Sequence, residues 1–274
     1  MHGETFYTVL TRAVRDITEH GFDSQGRLET WLQSLQRLAE KTLTPQWKME
    51  EQLRNAFSTI YRRLIDRGEI AKYHPGVSRF TIQKIAPRLR SELDRRIMAS
   101  ASLIKMNRQA SIQKTLQRFA GWASSIPAGG SDATDKGETK DEIRKALAQL
   151  PFEERRVLID QGHKFTASLS EIIAKDSGAL AMVWHSHWRQ AGYNYREDHK
   201  ERDGKVFVLK GNWALEAGLM KIGPDGYYED VDGVGQAVFC RCFGTWLHSL
   251  RELPDDLLTE KGRSELSRVR AKAG

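Results

Sequence analysis

Apolar residues recur every three or four positions through most of the first 120 residues, and that spacing predicts helices. Helices are expected over 5–20 and 27–43. In the second, Leu28, Trp31, Leu32, Leu35 and Leu38 fall on one face. The stretch from Gly21 to Gly26 between them has turn residues at both ends. Thr44-Pro45 reads as an N-cap followed by a first-turn proline. It opens a third helix carrying Leu53, Phe57, Ile60, Tyr61, Leu64 and Ile65, which stops at Gly68. A long helical run from about Phe80 to Ala123 comes next, with Pro87 at a break or in a first turn.

Past that run the pattern changes. Residues 124–140 are small and polar and read as a linker. Short helices are expected over 141–148, 152–161 (opened by Pro151) and 164–177. The period then shifts from three or four to two: 181–188, 206–209 and 238–243 read as short strands between glycine turns. From Pro254 a polar, peripheral helix is expected. The predicted fold class is α+β, a mainly helical N-terminal region with a small mixed α+β C-terminal domain. Its parts are a helical basic region (1–123), a linker (124–140), the α+β domain (141–250) and a tail helix (251–274).

Composition sharpens this picture. The chain has 274 residues, 39% hydrophobic and 29% charged, with a mean hydropathy of −0.56. Those values suit a polar globular protein with a thin core, or one whose surfaces partners cover. No apolar stretch approaches the roughly 18 residues of a membrane span. The start lacks a basic segment followed by an apolar one, so a cytoplasmic product is expected. The net charge of +7 is uneven: residues 52–118 alone carry 15 Lys/Arg against 4 Asp/Glu. Arg62, Arg63, Arg88, Arg95, Arg96 and Arg108 are candidates for neutralising DNA phosphates. Equally, they suit a solvated face or an acidic protein partner. No helix-turn-helix or zinc-finger spacing is present, so any DNA contact would be nonspecific.

The candidate chemistry lies between 184 and 243. Cys240 and Cys242 are one residue apart, too close for an unstrained disulfide. On a strand, alternate residues share a face, so the two thiols would point together, as would His185 and His187. With His199 these make five candidate ligands for a tetrahedral zinc ion, which takes four. The set would be His199, Cys240 and Cys242 with His185 or His187, a closed structural site. In the simpler alternative, the cysteines are small buried hydrophobes and the histidines polar partners among tryptophans. A third reading gathers His185, His187, His199, Asp198 and Asp203 around a metal with an open position that activates water. No His-Glu-x-x-His signature supports it. Gly223-Pro224-Asp225-Gly226 lacks the Lys-Ser/Thr of a phosphate loop, and no nucleophile has a base and orienting partner at readable spacing. The sequence makes no positive case for an enzyme.

The block Arg196…His199…Asp203-Gly204-Lys205-Val206-Phe207, a Gly/Pro-rich spacer and Cys240-Arg241-Cys242 resembles the Mu F-like, head-morphogenesis domain of tailed bacteriophages over about 160–245. Many members have Cys-x-x-Cys where this chain has Arg196 and His199, and Ser170-Glu171 stands nearest to their Thr-Glu pair. The resemblance implies a small α+β domain in a minor head protein that docks to portal, scaffold or inner capsid during head assembly. It implies residence in the virion, at the capsid interior or portal vertex, after assembly in the host cytoplasm. It implies no catalysis and no membrane partner, with nonspecific contact to packaged DNA as an added role. The alternative is a metal-dependent nuclease or a DNA-binding accessory protein.

Overall fold

The structure, a computed structural model, describes residues 4–42, 45–130 and 136–273. In chain order the elements are α1 (Phe6–His20), α2 (Gln25–Thr42), α3 (Gln46–Tyr61), α4 (Arg79–Lys84), α5 (Ala86–Ser124), α6 (Lys136–Asp176), β1 (Ala181–His185), α7 (Glu197–Glu201), β2 (Val206–Val208), α8 (Trp213–Glu216), β3 (Phe243–Leu247) and α9 (Glu260–Ala273). The protein is mainly helical with a small antiparallel sheet. It divides into two compact units, each built from two stretches of chain: Met1–Leu53 with Met98–Leu158, and Arg54–Ile97 with Ile159–Gly274.

In the first unit, Phe6, Val9, Leu10, Ala13, Val14 and Ile17 form the buried face of α1. They pack with Leu35 and Leu38 of α2, with Ile112, Leu116 and Phe119 of α5, and with Ile143 of α6. The Thr5 hydroxyl accepts the Thr8 N–H at 3.2 Å, and the Thr8 hydroxyl accepts the Thr5 N–H at 3.0 Å, which satisfies two of the free donors at the start of α1. Gly21, with φ 76°, ends α1 where a Cβ would lie 1.9 Å from the Pro127 carbonyl oxygen. Only glycine allows the chain so close. The Trp31 indole N–H donates to Asp16 at 2.7 Å and ties α2 to α1.

The second unit is organised by a sheet in the order β2-β1-β3. Both pairings are antiparallel, with Met182 opposite Phe207 and Trp246. Alternation along β1 sends Met182 and Trp184 to one face and Ala181 and Val183 to the other. The first face packs with Ala174 of α6, Phe207, Tyr228, Cys240, Cys242 and Trp246. The second is covered by Ala214, Met220, Leu250, Leu257 and Leu258, with Leu266 of α9 packed at its edge. Asn212 caps α8 by accepting the N–H groups of Ala214 and Leu215, both at 3.0 Å, while its amide donates to the Leu209 carbonyl at 2.7 Å.

Several elements differ from the sequence expectation, each for a local reason. The three short helices expected after the linker are one helix, α6, which runs without a break through position 151. A proline inside a helix removes one backbone hydrogen bond, and α6 accommodates that loss. Gly162, in the gap between the helices expected over 152–161 and 164–177, is a packing site: a Cβ there would lie 3.2 Å from Ile60. Positions 136–140 of the expected linker already belong to α6, and 131–135 lie outside the described residues. The third helix ends in a π-helical turn, Arg62–Asp66, before Gly68 closes it at φ 80°. The strand expected over 238–243 begins only at Phe243. β1 ends at His185 rather than at Trp188. The tail is anchored at its root, because Leu257 and Leu258 are buried ahead of the mostly exposed α9.

Candidate metal centre

His199 is delivered by the short helix α7, which opens after Arg196, and it is buried against the edge of the Trp184 ring with centroids 5.5 Å apart. The return from α7 to the sheet is fixed by Asp203. Its carboxylate accepts the Ser186 N–H at 2.8 Å and the Trp188 indole N–H at 2.9 Å. Burial works against the charged form, but these two donors with Arg189 and His185 win, and the Asp203 carboxyl stays below the usual range. Gly204 follows at φ 80°, and its N–H donates to the Trp184 carbonyl at 2.8 Å.

Cys240 and Cys242 come from the loop before β3. This loop turns through Phe239, which has φ 58°, a backbone region that side chains other than glycine seldom occupy. Three distant residues hold it. Asp160 of α6 accepts the Phe239 N–H at 2.6 Å. The Tyr193 hydroxyl donates to the Phe239 carbonyl and accepts the Arg241 N–H, both at 3.2 Å. Arg196 donates to the Val238 carbonyl at 3.0 Å. The two thiols thus share a side because the loop is pinned, not because they alternate on a strand.

His199 Nδ1 lies 3.6 Å from Cys240 Sγ and 3.5 Å from Cys242 Sγ. All three ligand atoms lie within 4.8 Å of one another and all three residues are buried, an arrangement that can hold a metal ion. Among the described residues this is the sole group of three or more His, Cys, Asp or Glu side chains so placed. Between the thiols, the hydrogen bond to Cys240 from Cys242 lowers the Cys240 pKa, while that same bond and burial raise the Cys242 pKa. The physical cause is simple: two adjacent buried sulfurs hold one negative charge more readily than two. A cation between them would remove that limit. The Trp184 indole nitrogen and Ser186 Oγ are buried without a hydrogen-bond partner. Both sit near enough to Cys242 to favour its thiolate. On the other side of the imidazole, His199 Nε2 lies 3.8 Å from an Asp198 oxygen, and Asp198 also pairs with Arg202 at 3.1 Å.

His185 and His187 are not part of the cluster. His185 lies on the opposite face of β1 from Trp184, where its Nε2 is 3.0 Å from the Thr245 hydroxyl and its ring stacks on Phe243 at 4.8 Å. His187 lies beyond the strand end, 5.7 Å from the Phe243 ring. It borders a cleft of about 180 Å³ with His163, Arg63, Arg241 and one face of Cys242. In that cleft burial first, then the positive charge of Arg241 and His187, holds the His163 imidazole below its usual pKa. The five-residue, water-activating set does not assemble, since Asp203 and Asp198 serve the bonds described above.

The six candidate DNA-facing arginines are mostly paired within the protein. Arg108 pairs with Glu154, and Arg88 with Asp176. Arg95 grips Glu92 through two bonds of 2.6 and 2.7 Å. Arg96 is turned inward to Ser168 at 2.6 Å and to Glu92 at 3.3 Å. Arg63 is 3.4 Å from Glu69, and Arg62 donates to the Ser58 carbonyl at 3.4 Å.

Sequence reasoning missed a second buried group. His74 Nε2 lies 3.1 Å from Ser170 Oγ, and His74 Nδ1 lies 3.2 Å from His248 Nε2. The order is that of nucleophile, base and orienting group. Ser170 is only 6% exposed, however, and its oxygen already accepts the Trp246 indole N–H at 2.9 Å. The chain therefore serves to satisfy polar groups in the core. Its members are far apart in sequence, so no spacing could reveal it. The chain matches no protein-family model, no curated protein and no solved structure.

Proposed function

We propose that this chain is a minor head, or head-morphogenesis, protein of a tailed bacteriophage, and that a structural zinc ion on His199, Cys240 and Cys242 locks its α+β unit. The observation that carries the reading is the buried imidazole–dithiol cluster. The two ends of the motif block, around 199 and around 240–242, meet there. The distances suit the ion. Zinc at about 2.3 Å from sulfur and about 2.0 Å from nitrogen, in tetrahedral geometry, sets sulfur and nitrogen about 3.5 Å apart. The sulfur–nitrogen separations here are 3.5 and 3.6 Å. The unpartnered Trp184 N–H fits the same reading, because a metal-bound thiolate accepts such donors. When bound, the ion would supply folding energy and rigidity. His199 and the two thiols would hold it, Asp160 and Tyr193 would position the thiol loop, and one coordination position would remain for water or a partner's side chain.

In this role the protein docks to the portal or inner capsid while the head is built, with the locked unit as a rigid anchor. Docking to protein is favoured over DNA contact because two of the candidate arginines, Arg96 and Arg108, are turned inward to Glu92 and Glu154. The nuclease alternative loses its ligand set. The test is protein mass spectrometry of purified procapsids and mature heads from the phage that encodes the chain. The reading expects the protein in procapsids at low copy, and heads formed without it to be defective. Absence from both kinds of particle, or sequence-independent DNA cleavage sensitive to chelators, would overturn it.

A further inference from the structure

We infer that the cleft of about 180 Å³ beside the thiol loop is a binding site for a phosphoryl group. Two guanidiniums, Arg63 and Arg241, and two imidazoles, His163 and His187, border it. No Asp or Glu is among its lining residues. The four come from separate segments, namely the π-helical turn, α6, the stretch after β1 and the thiol loop. Donors that converge from several directions suit a tetrahedral oxyanion better than a planar carboxylate, which one arginine fork can grip from a single side.

The surrounding charges leave this excess in place. Arg241 has no carboxylate partner among the described residues; its guanidinium lies over the Tyr193 ring, 5.2 Å from the centroid, already oriented. Arg63 faces Glu69 at 3.4 Å, but both side chains are about half exposed (53% and 42%), and so open a pair is weak. Asp160, one turn before His163 on α6, is engaged by the Phe239 N–H and by Lys164. Two hydroxyls of the cleft are engaged within the protein: that of Thr166 donates to the Gly162 carbonyl, and that of Ser170 accepts from Trp246. Binding would therefore come from the two guanidiniums, with the imidazole N–H groups as further donors. The size limits the ligand as well. Sites for whole drug-sized molecules run to about 300–1,000 Å³, so this cleft takes one phosphoryl group. The site does not depend on the assembly role proposed above. Free phosphate and a DNA phosphodiester share the chemistry, and the experiment separates them.

The test is calorimetric titration of the full-length chain with inorganic phosphate, and separately with a short DNA duplex lacking terminal phosphates. Arg63→Gln and Arg241→Gln are the variants. Arg67→Gln, outside the cleft, is the control, and unchanged metal content and melting temperature show that each variant is folded. Saturable phosphate binding at about 1 mM or tighter, weakened about tenfold by each cleft variant and unchanged in the control, is expected. Binding of the duplex alone with the same variant pattern would assign the cleft to a backbone phosphate. Should neither probe bind, or should binding survive both cleft substitutions, the inference is wrong.

Discussion

The carboxylate of Asp160, in the middle of α6, accepts the backbone N–H of Phe239 at 2.6 Å, and that bond fixes the turn from which both thiols project. Asp160 is buried, so losing the bond would leave a charge or a backbone donor without its partner.

Asp160→Ala is therefore expected to lower stability by about 1–3 kcal/mol and to loosen metal binding at the thiols. Asp160→Asn, which keeps an acceptor, should lose less. Chemical denaturation alongside competition with a metal chelator reads both effects. Wild-type metal affinity in Asp160→Ala would show that the loop holds its shape without α6.

His74 gives a pH prediction. Burial, and secondarily the neighbouring His248, lowers its pKa from 6.5 to about 3. Between those values the unfolded chain binds a proton that the folded chain excludes, so acidification favours unfolding. The stability contributed by the neutral imidazole is complete above 6.5 and is lost as the pH falls toward 3. Urea midpoints should drop between about pH 7 and about pH 4 more steeply in the wild type than in His74→Gln. Parallel losses in the two proteins would place the titrating group elsewhere.

How much of this was legible depends on the range of the interactions. The helices of the first unit follow from a repeating apolar face, as at Phe6, Val9, Leu10 and Ala13, where each turn repeats the signal. The strands around Met182 and Phe207 announce themselves by alternation. The imidazole–dithiol cluster was half legible: His199, Cys240 and Cys242 were named from residue type and spacing. The inclusion of His185 and His187 relied on a one-dimensional rule that cannot tell which face of β1 meets the thiols. What shapes the thiol loop is Asp160, 79 residues before Phe239, and no local pattern encodes that. The approach of α6 to Ile60 at Gly162 is likewise a contact between residues distant in sequence. The arginines show the same limit, since Arg96 and Arg108 read as surface charge until their partners Ser168 and Glu154 are in place.

Arg108 and Glu154 pair with little exposure, their side chains 9% and 19% accessible. Arg108→Met should cost about 3 kcal/mol, because it leaves a carboxylate short of its partner in a partly buried place, and Arg108→Met with Glu154→Leu should recover much of that. A double-mutant cycle on melting temperature checks it. Equal losses in the single and double variants would mean the pair is not the source.

The most direct test of the central claim is metal analysis of the purified full-length chain beside its His199→Ala, Cys240→Ser, Cys242→Ser, His185→Ala and His187→Ala variants. About one zinc ion per chain is expected, lost in the first three variants and retained in the last two. Zinc no higher than background in the wild type, or equal zinc in all five variants, would contradict it.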